Sequence, residues 1–200
     1  VCVSVQRVFA ARSIVDTLIE RLADRARQLA VGDPLDESTE VGPLIRTGEA
    51  DRVEAWVAEA REAGANIVCG GTRLAEQYYA PTVIADPAPT LRVSREEIFG
   101  PVLCIFPYDD LDSAIAQAND LPYAFQAAVF TDSLERALHV SRQVDASAVM
   151  VNDHTAFRVD GMPFAGLRES GLGVGGIPHT IRDMQIDKML VIKSGALKSL

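Results

Sequence analysis

The amino-acid sequence predicts an α/β domain with a mostly parallel sheet and helices on both faces. Its short strand-like segments are apolar throughout, which is typical of strands that are buried on both faces of a sheet. Amphipathic segments of about 10 to 15 residues separate them, and this spacing favours parallel pairing through helical crossovers. Of the 200 residues, 48% are hydrophobic and 24% are charged, which is average for a globular protein, so we expect a compact core.

The first half of the chain contains three predicted strands and two predicted helices. Valine-rich runs bounded by turn residues indicate the strands, and apolar residues spaced three or four apart indicate the helices. Gly64 is a natural helix C-cap, and Gly, Pro and Asp residues between the helices indicate a loop. In order, the elements are a strand over 3–9, a helix over 11–30, a loop over 31–45, a helix over 47–63, and strands over 66–70 and 79–85.

The second half continues the same alternation. Aspartates at the start of one helix suit its positive N-terminal end, and Ser133 is placed as the N-cap of the next. A Gly-rich polar connection over 153–177 is too long for a turn, which indicates a functional loop. The predicted elements are strands over 101–108, 126–131, 147–152 and 187–194, and helices over 110–120 and 133–144.

Charge and hydropathy exclude two classes of partner. The formal net charge is −9, the wrong sign for neutralising phosphates, so we expect no nucleic acid. No apolar run approaches the roughly 18 residues that a membrane helix needs, so no membrane span is expected.

The cysteines indicate a reducing compartment. Cys2, Cys69 and Cys104 are widely spaced and form neither a CxxC pair nor a zinc-ligand pattern, so we expect no disulfide framework and no metal site. A cytoplasmic location fits this usage best. The chain opens with Val1 and runs straight into an apolar segment, which predicts that it was cut from inside a larger protein.

Three segments contain residues that could carry chemistry. Cys2 lies at the head of the predicted first strand; a lone cysteine among valines is usually a buried, inert thiol, whereas a nucleophile needs an activating partner. The 95–102 segment, REEIFGPV, places Glu96 and Glu97 before a Gly-Pro turn; they are either solvated loop charges or a fixed acceptor for a ribose diol.

The third segment is the Gly-rich loop VNDHTAFRVDGMPFAGLRESGLGVGG over 151–176. Its GLGVGG end neither follows a strand nor opens a long helix, as a phosphate-binding loop would. We interpret it instead as a tight loop lining a site, because glycines allow a close backbone approach.

Together and in this order, the three segments resemble the NAD(P)-dependent aldehyde dehydrogenase superfamily over essentially the whole chain. VCVSVQRVF is similar to the nucleophile motif, in which the cysteine stands five residues before an arginine, here Cys2 and Arg7. REEIFGPV is similar to the nicotinamide-ribose segment, and the 151–176 loop to one near the substrate funnel. Alanines replace family glycines at 124, 127 and 165, each adding one methyl near a tight backbone.

The resemblance implies a function and a set of site residues. Cys2 would be the catalytic nucleophile, Glu97 would hold the nicotinamide ribose, and Phe99 would pack beside the nicotinamide ring. The cofactor would be NAD or NADP, bound mainly by a part of the family fold outside this chain, and the substrate a small aldehyde. Residues 1–180 would be a catalytic domain and 181–200 a strand that joins subunits into dimers or tetramers.

Two other functions remain open at this point, together with the substrate. Cys2 could serve a cysteine-dependent esterase or acyl transferase, or the chain could be a non-catalytic interaction module that retains the fold. The general base of the family has no counterpart in this chain, so we expect the chain alone to be inactive. Arg158 could pair with an anionic aldehyde, but an ion pair with Asp160 or another carboxylate is the favoured prediction.

Overall fold

A computed structural model describes residues 2–195 and contains helices and strands in alternation. The strands are β1 (Arg7–Ala11), β2 (Asn66–Cys69), β3 (Arg73–Ala75), β4 (Tyr78–Tyr79), β5 (Thr82–Ala85), β6 (Val102–Tyr108), β7 (Tyr123–Ala124), β8 (Gln126–Val129), β9 (Ala148–Val151) and β10 (Leu167–Arg168). The helices are α1 (Val15–Gln28), α2 (Thr47–Glu62), α3 (Arg92–Arg95), α4 (Leu111–Asn119), α5 (Leu134–Gln143) and α6 (Ile177–Asp183). Within this described range, no helix combines the length and apolar character needed to cross a membrane.

The central sheet has four strands in the order β1-β6-β5-β2. Strand β6 pairs in parallel with both β1 and β5, while β2 joins the far side of β5 antiparallel. A second parallel pair, β8 with β9, stands apart from this sheet. The predicted α/β class is therefore confirmed, and two of the three pairings in the central sheet are parallel.

Helices cover both faces of the central sheet. Along β6, Cys104 and Phe106 face the cluster built on α2, whereas Ile105 faces the cluster built on α1. Ile105 has no solvent-exposed surface, and burying such a side chain stabilises a fold by about 1.5–3 kcal/mol. The continuous apolar run of β6 thus supplies both halves of the core, as its sequence predicts.

Helix ends follow the local signals in the sequence. The Ser133 hydroxyl accepts from the Arg136 backbone N–H at 3.2 Å and caps α5, as predicted. Asp110 caps α4 through Ser113, and these hydrogen bonds hold the pKa of the Asp110 carboxyl below its usual range. Gly64 follows α2 with a φ of +86°, a conformation that favours glycine.

Three sequence predictions need correction. The first strand begins at Arg7, so Cys2 does not stand at its head but in a turn five residues earlier. The 153–177 connection contains β10, which pairs with β7. The predicted strand over 187–194 has no regular structure, and no strand among the described residues pairs with it, as a stable strand requires.

Candidate active site

Cys2 lies in an exposed turn that is tied to the Gly-rich loop. Its thiol is free and exposed, and residues 4–6 separate the turn from β1. The next residue, Val3, accepts a hydrogen bond at 2.5 Å from the hydroxyl of Thr155, a buried residue of the Gly-rich loop. The first and third segments selected from the sequence therefore lie side by side, and a side chain that sequence reasoning missed, Thr155, joins them.

Gln6 connects the same stretch to the second segment. The Ile98 backbone N–H donates to Gln6 Oε1 at 3.0 Å, and Gln6 Nε2 donates to the backbone carbonyl of Glu96. One local signal for this role is present in the sequence: Gln6 is the one side-chain amide in the valine-rich run VCVSVQRVF. The structure thus joins all three segments through two side chains that were not predicted.

The 95–102 segment presents Glu97 and Phe99 on its surface around a buried anchor. Ile98 is 2% exposed, whereas Phe99 is 54% exposed and has a φ of +44°, which is rare for a residue with a side chain. The Glu97 carboxylate is exposed and forms neither an ion pair nor a hydrogen bond with any residue in the 2–195 range. An unengaged carboxylate and, two residues later, an exposed ring are groups able to bind a ribose diol and a flat heterocycle.

Arg52 holds the 95–102 segment from its other side. Its Nη2 donates to the Ile98 carbonyl at 2.7 Å, and its Nε pairs with the Glu49 carboxylate at 2.9 Å. The guanidinium also lies 4.6 Å from the centre of the Trp56 ring. Helix α2 therefore contributes a fixed cation that fastens the segment, a role that the sequence did not predict.

Arg7, the arginine of the predicted nucleophile motif, has a structural role. Its guanidinium donates to the backbone carbonyls of Gln117 at 3.4 Å and Ala118 at 3.0 Å, at the C-terminal end of α4. Burial lowers the pKa of the guanidinium, with the nearby Arg95 adding to the effect, but arginine stays charged in proteins. A cation at a helix C-terminus is stabilising, so Arg7 docks α4 against β1.

Two features fix the ends of the Gly-rich loop: hydrogen bonds between the Asn152 side-chain amide and the Thr131 backbone, and close packing at Gly166. At the end of β9, Asn152 has a φ of +57°, accepts from the Thr131 N–H at 2.8 Å and donates to the Thr131 carbonyl at 2.9 Å. Gly166 is required by packing, because a Cβ there would lie 2.5 Å from the carbonyl carbon of Ser170. These contacts fix where the loop leaves the β8–β9 pair and where it turns back.

The contacts of Arg158 differ from the predicted ion pair with Asp160 or another carboxylate. In the described part of the chain it makes no ion pair with Asp160 or with any other carboxylate; its guanidinium lies 4.7 Å from the centre of the Phe164 ring. Stacking on an aromatic ring leaves the charge available. Arg158 and Asp160 line one shallow depression together with Thr180, Ile181 and Met184.

The other two cysteines are buried in the core. Burial raises the pKa of the Cys104 thiol to about 12, and its Sγ lies 3.5 Å from the Val93 carbonyl oxygen. A thiol in this state does not supply a thiolate near neutral pH. Among residues 2–195, no group of three or more His, Cys, Asp or Glu side chains is placed to hold a metal ion.

Comparisons with known proteins find relatives over most of the chain. The model of the aldehyde dehydrogenase family matches residues 1–190. A 3-sulfolactaldehyde dehydrogenase of Priestia aryabhattai is 40% identical over 192 residues, covering 96% of this chain and 40% of that protein. A betaine aldehyde dehydrogenase of Brucella melitensis is 38% identical over 179 residues, covering 86% of this chain and 37% of that protein.

Solved structures share the fold over most of the chain. Aldehyde dehydrogenase 21 from Physcomitrella patens, in complex with the reaction product succinate, aligns with a TM-score of 0.89 and 33% identity. That alignment covers 92% of this chain and 38% of the plant protein. A Mycobacterium tuberculosis aldehyde dehydrogenase complexed with NAD+ aligns with a TM-score of 0.85 and 36% identity over 92% of this chain and 38% of that one. The chain spans about 40% of the length of the curated relatives it matches.

Proposed function

The chain belongs to the aldehyde dehydrogenase family, and we propose that it carries the nucleophile of an enzyme that oxidises an aldehyde to a carboxylic acid with NAD+ or NADP+. The observation that carries this proposal is the placement of the Cys2 thiol. It is exposed and free, and its turn is hydrogen-bonded to the Gly-rich loop and, through Gln6, to the 95–102 segment.

Cys2 performs covalent catalysis in this proposal. Its thiolate attacks the aldehyde carbon, a C–S bond forms, and the carbonyl oxygen becomes an oxyanion that accepts from the Cys2 backbone N–H. Loss of hydride from the same carbon, to the acceptor that NAD+ or NADP+ would supply, re-forms the carbonyl as a thioester. Water then attacks the thioester, the C–S bond breaks, and the carboxylic acid and the free thiol are released.

Glu97 and Phe99 form the cofactor side of the site. The Glu97 carboxylate would accept from the nicotinamide ribose hydroxyls, and the exposed Phe99 ring would pack beside the nicotinamide. The bound cofactor supplies the hydride acceptor. One solved relative is complexed with NADP and another with NAD+, which supports NAD or NADP as the nucleotide of this protein.

We propose that the oxidation belongs to a longer polypeptide that carries this chain. The chain spans about 40% of its relatives' length, and we place the general base, a second oxyanion donor and most of the nucleotide-binding fold in the remainder. We propose residues 1–180 as part of its catalytic domain. The three free cysteines favour a reducing cytoplasm.

The deciding experiment is an aldehyde-oxidation assay of the full-length polypeptide. A panel containing 3-sulfolactaldehyde, betaine aldehyde, the semialdehyde of succinate and an uncharged aldehyde is incubated with NAD+ or NADP+, and formation of reduced nicotinamide is followed. We expect turnover with at least one pair, and none from residues 1–200 alone. Hydrolysis of an activated ester without any nicotinamide reduction would favour the cysteine-dependent esterase, and inactivity in both assays would favour a non-catalytic module.

The C-terminal residues are proposed to join subunits. Within the described part of this region, Met189, Leu190, Val191 and Ile192 are between 63% and 85% exposed. Proteins normally cover such a run, and pairing it with the sheet edge of a second subunit would give a dimer or a dimer of dimers. Residues 181–200, whose last five lie outside the described range, are proposed as this oligomerisation segment.

Deleting residues 186–200 from the full-length polypeptide should convert the oligomer into a monomer or make it insoluble. A monomer would form because the deletion removes the segment that pairs with the neighbouring subunit. Insolubility would follow because the sheet edge of that subunit is left uncovered. Light scattering coupled to size exclusion measures the outcome. Lys188→Gln is the matched control, because it keeps the apolar run and should keep the oligomer. A strictly monomeric intact protein at micromolar concentration would contradict strand exchange.

A further inference from the structure

The carboxamide of Gln6 forms hydrogen bonds with the backbone on both sides of Glu97. Its Oε1 accepts from the Ile98 N–H at 3.0 Å, and its Nε2 donates to the Glu96 carbonyl oxygen. These two backbone groups lie immediately after and immediately before Glu97 in the chain. One side chain therefore fixes the backbone on both sides of the residue whose carboxylate faces outward.

Gln6 is itself held in place. Its backbone carbonyl accepts from the Cys104 N–H at 2.9 Å, which extends the hydrogen-bonded pairing of β1 with β6 by one residue. Its Nε2 also lies 3.5 Å from the Val93 carbonyl oxygen. The side chain thus reaches the 95–102 segment from a position anchored to the central sheet, four residues after Cys2.

Ile98 is fastened from two directions at once. Its N–H donates to Gln6 Oε1, while Arg52 donates to its carbonyl oxygen at 2.7 Å. Its side chain is 2% exposed, so both peptide groups and the side chain of this residue are engaged. With Ile98 fixed inward, its neighbours Glu97 and Phe99 are directed to the surface.

We propose that Gln6 is a positioning residue that sets the orientation of the Glu97 carboxylate relative to the turn that carries Cys2. This inference rests on the proposed function for its catalytic meaning, but the anchor itself is independent of it. An amide is needed at this position, because one atom must accept a hydrogen bond and the other must donate one. A methionine of similar length supplies neither, and a glutamate supplies only the acceptor.

The first test measures hydrogen–deuterium exchange of the peptide covering residues 95–99 in the full-length polypeptide. Gln6→Met should speed exchange at the Ile98 amide by about tenfold, since a net hydrogen bond is lost. Gln6→Glu keeps the acceptor and should retain most of the protection. Gln117→Met is the matched control: Gln117 is half-buried, and within residues 2–195 its side chain makes no hydrogen bond. Exchange that is equally fast in Gln6→Met and Gln117→Met would overturn the anchor.

The second test asks whether Gln6 acts through Glu97. Gln6→Met should lower kcat by about 10- to 100-fold and raise the primary deuterium isotope effect with deuterated aldehyde, because small displacements at the reacting centre slow the chemical step. In the double variant with Glu97→Gln, kcat should fall no further than in Glu97→Gln alone. Losses that multiply in the double variant would overturn the positioning role.

The two tests separate this inference from the function on which it rests. If the unaltered polypeptide reduces no nicotinamide with any aldehyde, the proposed function fails, and the inference about positioning fails with it. If that polypeptide is active but Gln6→Met has unaltered kinetics and unaltered exchange, the inference fails alone. Alkylation of Cys2 by iodoacetamide without cofactor should proceed at the same rate in Gln6→Met, since the Val3–Thr155 contact remains.

Discussion

Replacing Cys2 with serine in the full-length polypeptide should lower the turnover of aldehyde oxidation by several orders of magnitude. A hydroxyl is far less nucleophilic than a thiolate near neutral pH, so the covalent step that we propose for Cys2 would be lost. The exposed position of Cys2 means that the substitution costs the fold little. Steady-state kinetics measure the loss, and a melting curve verifies that the variant is folded.

The two buried cysteines provide matched controls for this variant. Cys69→Ala and Cys104→Ala should keep turnover near the original value and lower the free energy of unfolding by about 1 kcal/mol through lost packing. The pKa of the Cys104 thiol, raised by burial to about 12, keeps it protonated across the working pH range. Substantial oxidation by Cys2→Ser, or its loss in Cys104→Ala without unfolding, would contradict the assignment of the nucleophile.

Glu97→Gln should slow hydride transfer more than it weakens cofactor binding. The amide keeps the size of the side chain but removes the charge that we propose accepts from the ribose hydroxyls, so the bound ring would lose its fixed position. We expect kcat to fall by about 10- to 100-fold, because misplacement by about 1 Å is enough for that loss. The measurements are kcat, the cofactor Kd and the primary deuterium isotope effect, which should rise.

Glu96→Gln is the internal control for Glu97. The Glu96 side chain is exposed, and in the described range only its backbone contacts Gln6. Its substitution should therefore leave kcat and the isotope effect unchanged. Equal losses in the two variants would indicate a general effect of charge on this surface, and an unchanged isotope effect with unchanged turnover in Glu97→Gln would remove the ribose contact from the mechanism.

Phe99 has a strained backbone conformation that its surroundings maintain. Its φ of +44° carries a conformational cost of order 1–3 kcal/mol for a residue with a side chain. Such a conformation persists only where the surroundings enforce it, and here the anchoring of Ile98 by Gln6 and Arg52 does so. The contacts that fix Ile98 therefore also hold Phe99 in its strained conformation, with its ring exposed.

The sequence by itself determined the elements of the core, because their signals are local. The apolar run of β6 predicts a strand buried on both faces, and the structure places Cys104 on one face and Ile105 on the other. Ser133 and Gly64 mark helix ends through hydrogen-bonding capacity and backbone freedom, which belong to the residue itself. Resemblance in three ordered segments then identified the family.

Only the tertiary structure decided which distant groups meet. The Gln6–Ile98 hydrogen bond joins residues 92 apart in sequence, and the Thr155–Val3 bond joins residues 152 apart, so no local pattern contains either pair. Arg158 stacks on Phe164 although a carboxylate lies two residues away, because the loop brings the ring under the guanidinium. Residues 187–194 have strand-forming composition but no strand, since a sheet edge must be supplied by another segment. Local propensity fixes what a segment can become, and long-range packing fixes what it contacts.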